Sequence, residues 1–394
     1  MSGREPTVAI AGIGTTGFGN FSDVSLGKMY NDALEAALTD SGVARSQIDG
    51  LLVQIGSPRG LDYDVVAPQL GLDIRFAAQT WAHGRWCAGT LTHAAMAIDY
   101  GLTDYAVCLV GYKNSLFTRH GTPGYPGSAE GVREGGGPHA ETPHVGMSAP
   151  MAGAAMALNR YVSHYGADRD KLGAIAIAQR NWARKNPLAI MHSKPPLTRD
   201  DYLASRYVIE PIRLYDCSYP VDHATAIILT SAGRARDLRQ KPVYLRGFDG
   251  VHAGPNEFVF GRPGLGINEA DTFELESRHG YDAVYQRSGV DRSDIGAFYT
   301  YDGFSTQVIY TLERFGFCRG GEGLDWVQDG RIEAGGELPV NTSGGHLSEG
   351  HTNGWGQTME IVRQLRGTAG SRQVGGIRFA QWATTVGDTI IYAN

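Results

Sequence analysis

SGVARSQIDGLLVQ occupies residues 41–54, and SGVDRSDIGAFYTY occupies residues 288–301. Ser, Gly, Val, Arg, Ser and Ile recur in register at an offset of 247 residues. Six matches within eight positions exceed a chance likeness between two helix-to-strand connections and point to an internal duplication. Before the first copy, Leu26 to Leu38 carries Met29, Ala33, Leu34, Ala37 and Leu38 at helical spacing, and Gly42 follows as a C-cap stop. After it, Leu51 to Ile55 is a short apolar run that reads as a buried strand, as does Thr7 to Ala11. Each copy therefore joins a helix to a strand. The chain is expected to be an α/β protein of two similar halves, each a sheet covered by helices.

The halves are expected to span residues 1–241 and 242–394, the second opening on the strand PVYLRGF from Pro242. Ala224 to Ser231 would be the strand that closes the first. Residues 113–215 have no counterpart in the second half and are read as an insertion or lid over the first half. They include a helix from Met151 to His164, with Ala154, Ala155, Leu158 and Tyr161 on one face, and a second near Lys171 to Lys185.

Composition narrows the function classes. A formal net charge of −6, with 19% charged residues and no run of five or more like charges, argues against a nucleic-acid binder. The 42% hydrophobic content supports a large core. The four cysteines, at 87, 108, 217 and 318, are too far apart for a zinc ribbon or a redox pair. With no signal-peptide pattern and no apolar stretch long enough for a membrane span, a cytoplasmic location is expected. His139, Glu141 and His144 lie in a Gly/Pro loop without helical pairing, so no metal is expected in this chain. Gly12, Gly14 and Gly17 spell GxGxxG, but no acidic residue ends a second strand about 20 residues on, as a dinucleotide site requires.

Three stretches can carry chemistry. Cys87, in WCAGTLTHAAMAI, stands where a helical pattern begins. A helix N-terminus lowers a thiol's pKa and would make it a nucleophile; a buried structural thiol is the alternative. His346 and His351 lie in the glycine-rich NTSGGHLSEGHTNGWG, ahead of an amphipathic helix. His351 could move a proton or polarise a carbonyl, whereas His346 reads as a loop histidine bonded to backbone. Tyr301 and Asp302 follow a β-rich run in FYTYDGFSTQ, at the kind of strand end where ligand groups collect. A half-buried strand tyrosine is the alternative there.

Taken together, these stretches resemble the thiolase superfamily. WCAGTLTHAAMAI is similar to its Cys-Gly-Ser-Gly nucleophile motif, GGHLSEGHTNGWG to its Gly-His-Pro-x-Gly loop, and YDGFS stands in place of its Asn-Glu-Ala-Phe motif. The resemblance covers essentially the whole chain. It is closest to the sterol-carrier or lipid-transfer branch, on EPIRLYDCSYPVDHATAIILTS and MEIVRQLRG. It implies a five-layered α/β/α/β/α fold from two duplicated halves with a loop-domain insertion, a homodimer, and a coenzyme A thioester as substrate. It also implies Cys87 as nucleophile and His351 as its activator, with Gly345 and Gly350 near the thioester.

The departures reshape the expectation. The C-terminal RFAQWATTVGDTIIYAN lacks the family's second cysteine, Thr352 replaces the proline, and the tyrosine of YDGF replaces the asparagine. The first expectation is a thiolase-like acyltransferase that makes or breaks a C–C bond through Cys87, with Tyr301 in place of the missing acid/base. An alternative is a retro-aldolase, such as the steroid side-chain aldolases, in which tyrosines at the positions of Tyr301 and His351 are associated with catalysis. A third is a non-catalytic lipid carrier or scaffold. Relatives of this kind associate with a small OB-fold protein bearing a zinc ribbon. A partner subunit giving a heterotetramer is therefore expected, with zinc only in that partner. Tyr112, Phe117, Tyr125 and Tyr161 are consistent with a bulky steroid-like or aromatic acyl group, or with core packing.

Overall fold

A computed structural model describes residues 5–55, 61–81, 86–113, 150–253, 257, 260 and 282–394. His139, Glu141, His144, Phe117 and Tyr125 lie outside the described residues.

The two copies of the repeat adopt one local structure. Helix α1 (Leu26–Ser41) ends on Gly42 at φ 78°, and a second helix (Ala283–Ser288) ends on Gly289 at φ 63°. Left-handed φ is open to glycine at little cost, so each helix stops there. Ser41 Oγ donates to Leu38 O and accepts from Val43 N, just as Ser288 Oγ donates to Tyr285 O and accepts from Val290 N. A single 3₁₀ turn then feeds β2 (Gly50–Ile55) in one copy and β9 (Ile295–Thr300) in the other.

The first half adds β1 (Val8–Thr15), β3 (Phe76–Trp81), β4 (Tyr105–Lys113) and β7 (Asp222–Ser231), and the second adds β8 (Val243–Asp249), β10 (Phe379–Ala383) and β11 (Thr389–Ala393). Strands β5 (Tyr207–Ile209) and β6 (Ile212–Arg213) form a separate small ladder. The main sheet runs β3-β2-β4-β7-β1-β8-β11-β10-β9. The pairing pattern is mirrored about its centre: β1 lies antiparallel to β7 and β7 to β4, as β8 lies antiparallel to β11 and β11 to β10. Outside these, β2 runs parallel to β4, as β9 does to β10. In the main sheet the halves join where β1 meets β8, through the pairs Ala9–Tyr244 and Ile10–Val243.

Alternation along the strands sorts side chains between layers. Leu51, Val53, Val107 and Leu109 pack with α1 and α2 (Tyr63–Gln69). Leu52, Ala106, Cys108, Ala297 and Tyr299 face a middle layer made of α3 (Cys87–Asp99) and the helix Trp355–Arg366. Phe298 and Ile391 face the far side, under Ala283–Ser288 and Thr306–Arg314. This is the five-layered α/β/α/β/α arrangement. In chain order the later helices of more than four residues are α4 (Pro150–Tyr165), α5 (Gly173–Ala183), α6 (Arg199–Ala204), α7 (Ala283–Ser288), α8 (Thr306–Arg314) and α9 (Trp355–Arg366).

Two expectations change. Sequence adjacency put the insertion over the first half, but its described part lies on the second. Met151, Leu158, Tyr161 and Ile175 share a core with Phe298, Tyr310 and Val340, Tyr161 OH donates to Glu313, and Trp182 Nε1 donates to Ile332 O. Also, β1 does not stop at Gly12 but continues to Thr15. Gly12 and Gly14 are strand residues pressed against α1, where a Cβ would collide with the backbone of Ala37 and Ala33. The glycine pattern thus serves helix-on-strand packing.

Candidate active site

Strand β9 ends at Thr300 and is held by Asn341, whose Oδ1 accepts from Thr300 N (2.9 Å) and whose Nδ2 donates to Thr300 O (3.1 Å). The next two residues, Tyr301 and Asp302, emerge beside the loop 341–354. Within that loop a π turn, Gly345–Glu349, sets the rings of His346 and His351 4.9 Å apart. Gly345 (φ 57°) lies so close to Asp302 that a Cβ would strike its carboxylate. At the other end of the turn, Gly350 (φ 145°) packs on Val221.

Tyr301 OH and His351 Nε2 are 3.0 Å apart, joined by a hydrogen bond. On the other side of the ring, His351 Nδ1 is 3.3 Å from Ser218 Oγ. The histidine's backbone is fixed as well: His351 N donates to Tyr219 O (2.8 Å), and Tyr219 N donates to His346 O (3.0 Å). Two segments more than a hundred residues apart thus clasp the imidazole. Tyr301 is 7% exposed, with its ring edge-on to that of His346 at 4.9 Å.

Behind this pair stands Asp302. Its Oδ1 accepts from His346 N (2.8 Å) and Gln357 Nε2 (3.0 Å), and lies 3.0 Å from His346 Nδ1. His346 Nε2 accepts from Gly354 N (2.9 Å), which assigns the ring proton to Nδ1, facing the carboxyl. Burial holds His346 neutral, pushed down to about 3, and raises Asp302 to about 7 against the hydrogen bonds that favour its carboxylate.

Cys87 opens α3, as its sequence pattern indicated, but it is fully buried. Burial pushes its thiol up to about 12, outweighing the hydrogen bond to Thr358 Oγ1 (3.5 Å) and the helix end. It lies against Gly354, where a Cβ would come within 3.2 Å of its own, in the middle-layer core that also holds Tyr301. The structure therefore joins Tyr301 directly to His351, while Cys87, in the same core as Tyr301, is paired with Thr358.

Sequence reasoning undervalued His346. The backbone bond expected of it is present, from Gly354, but its ring also faces Asp302 and Tyr301. The signal was a second histidine five residues before His351 in a glycine-rich loop. Ser218 and Gln357 had no such signal. A cavity of about 580 Å³, lined by Met151, Ala176, Leu197, Arg180 and Arg206, reaches Ser218, the residue paired with His351 Nδ1. Among the described residues, no group of three or more His, Cys, Asp or Glu is placed to hold a metal, and no helix is long and apolar enough to cross a membrane.

Residues 268–392 match the family model described as "Thiolase C-terminal domain-like". The 17-hydroxy-3-oxo-4-pregnene-20-carboxyl-CoA lyase of Mycobacterium tuberculosis is 35% identical over 365 residues, covering 92% of each chain. A steroid side-chain-cleaving aldolase of Thermomonospora curvata is 32% identical, covering 94% of this chain and 93% of the relative. The solved Ltp2-ChsH2(DUF35) aldolase superposes with a TM-score of 0.84 at 30% identity, over 98% of both chains. Fold and matches together define a thiolase-type enzyme. The chain belongs to the thiolase superfamily, in its sterol-carrier-type branch.

Proposed function

We propose that the chain is a retro-aldolase, a lyase that cleaves a C–C bond of a hydroxyacyl-CoA thioester with a bulky, steroid-like acyl group. The observation that carries this reading is the Tyr301 OH–His351 Nε2 hydrogen bond of 3.0 Å at the end of β9. The substrate's β-hydroxyl gives its proton to this pair, and the O–H electrons become the new carbonyl as the Cα–Cβ bond breaks. Electrons from that bond go to the thioester enolate, which takes a proton back at Cα. The pair ends as it began, and the step needs no cofactor. Two of the relatives carry lyase and aldolase names, which supports the same reading.

The acyltransferase reading rests on Cys87 at the start of α3, beside Gly354. A thiol pushed up to about 12 speaks against it. Activity of two variants on a 3-hydroxyacyl-CoA separates the readings. Tyr301→Phe is expected to lose on the order of 100-fold or more in kcat, the usual scale of acid–base catalysis, while Cys87→Ala stays within about twofold. Loss in Cys87→Ala with retention in Tyr301→Phe would reverse the assignment in favour of acyl transfer.

We also propose that the enzyme works as a homodimer with a small OB-fold, zinc-ribbon partner. The solved relative, an Ltp2-ChsH2(DUF35) aldolase, supports a two-component assembly. Affinity purification of the tagged chain from its native host should bring down a zinc-containing protein of that kind in stoichiometric amount; recovery of the chain alone would count against it.

A further inference from the structure

Strand β7 reads Asp-His-Ala-Thr-Ala-Ile-Ile-Leu-Thr-Ser from residue 222. Its register with β4 is unbroken, so its faces alternate strictly. Ala224, Ala226 and Ile228 pack toward α1, and Ile227 and Leu229 toward the middle layer. His223 and Thr225 belong to the middle-layer face. That face is apolar along most of the strand and turns polar at its first two positions.

Both side chains are fully buried, and among the described residues neither His223 ring nitrogen nor Thr225 Oγ1 has a hydrogen-bond partner. The imidazole lies parallel to the ring of Tyr112, its cross-strand neighbour, at 5.9 Å and 4°, with Phe18 edge-on at 6.2 Å. Aromatic contacts orient it but satisfy neither nitrogen. Its position is close enough to His346 for a charge on one ring to oppose a charge on the other. Burial first, and then His346, hold it neutral, down to about 3. A neutral imidazole offers one N–H donor, and a threonine hydroxyl offers another. Packing gives no reason for two adjacent inward positions to leave these groups unmatched, because an apolar pair of similar shape would fill the space without that penalty.

We propose that His223 and Thr225 form a two-donor cradle for the thioester oxygen of the substrate, the atom that gathers negative charge as the enolate forms. This rests on the retro-aldol reading for its chemistry. Donors aimed at a developing oxyanion from a water-excluded site lower the barrier because they need no reorganisation. In the step written above, the pair of electrons leaving the Cα–Cβ bond rests on this oxygen. The His223 N–H and Thr225 O–H donate to it without transferring a proton. The reverse flow, on protonation of Cα, releases the oxygen as an ordinary carbonyl.

The test follows exchange of the acetyl-CoA methyl protons for deuterium in D2O, together with C–C cleavage of a 3-hydroxyacyl-CoA. The wild type is expected to catalyse exchange. His223→Phe and Thr225→Val should each slow both reactions on the order of 100-fold, with KM within a few-fold. His223→Gln, which restores an N–H, should recover part of the rate. Thermal midpoints of the unliganded variants should be equal to or above the wild type, since an unmatched polar group is removed; a purely structural role predicts a lower midpoint instead. Exchange that is absent in the wild type, or that persists within twofold in both variants, overturns the cradle. Exchange that depends on His223 without any C–C cleavage keeps the cradle and removes the retro-aldol reading.

Discussion

Asp302 has no room to be solvated and three groups pointing at one of its oxygens. Its carboxyl is raised by burial to about 7, far above its range in an unfolded chain. Between about pH 4 and pH 7 the folded protein therefore holds a proton that the unfolded chain releases. The stability contributed by that proton is complete below about pH 4 and lost as the pH climbs through 7. Asparagine is permanently in the neutral form. Asp302→Asn should therefore gain stability relative to the wild type across that window and show a constant difference outside it. Urea unfolding at pH 4.5, 6 and 8 reads the effect; a difference that does not change with pH would show that Asp302 is already ionised. His346 shifts the other way, so its own contribution grows with pH from about 3 to its unfolded value near 6.5. Neither shift was legible in the sequence. Tyr301, His351 and Cys87 were legible because their neighbours form motifs. The groups that set their environment come from distant segments: Ser218 and His351 are 133 positions apart.

At the scale of elements, helix α9 illustrates how much depends on its first turn. Gly354, its N-cap, has φ 90°, and a Cβ there would meet the Trp382 ring at 2.6 Å and Cys87 Cβ at 3.2 Å. Gly367, at the other end, has φ 77° with open space around it. Gly354→Ala combines backbone strain with overpacking and should cost about 3 kcal/mol. Gly367→Ala meets the backbone preference alone and should cost about 1 kcal/mol. Equal midpoints for the two variants in denaturant would mean that the contact with Trp382 and Cys87 relaxes freely. The repeated SGV phrase was readable because cap chemistry is local: a serine, a left-handed glycine and an apolar residue specify one turn wherever they fall. The side on which α4 and α5 pack was not readable, because their apolar faces fit either half and only the tertiary partners Tyr310, Val340 and Ile332 decide.

For the whole molecule, the halves meet through the β1–β8 pairing and the backbone bonds of the active-site loops, and side chains add to these. Arg366, in the last turn of α9, donates to Asp40 Oδ2 (2.7 Å), Ala11 O (2.9 Å) and Lys241 O (3.0 Å), with only 4% of its side chain exposed. It thus ties the second half's middle-layer helix to α1 and β1 of the first. Asp40 also accepts from Ile13 N (2.9 Å). Removing the cation takes the countercharge from the carboxylate and one donor from each of two carbonyls, so Arg366→Ala should cost on the order of 3 kcal/mol. A loss below about 0.5 kcal/mol in urea titration would place the cohesion of the halves elsewhere.

Helices α3 and α9, one from each half, begin beside each other, with Gly354 resting on Cys87. Each backbone carries a dipole whose positive end is its first turn. With both first turns in the same buried layer, their positive ends lie close together, fixed by the main chain and away from dissolved salt. An electron pair released nearby moves downhill in that field whichever side chains receive its protons. The duplication has therefore placed the two field sources next to each other, while leaving the side chains around them free to change.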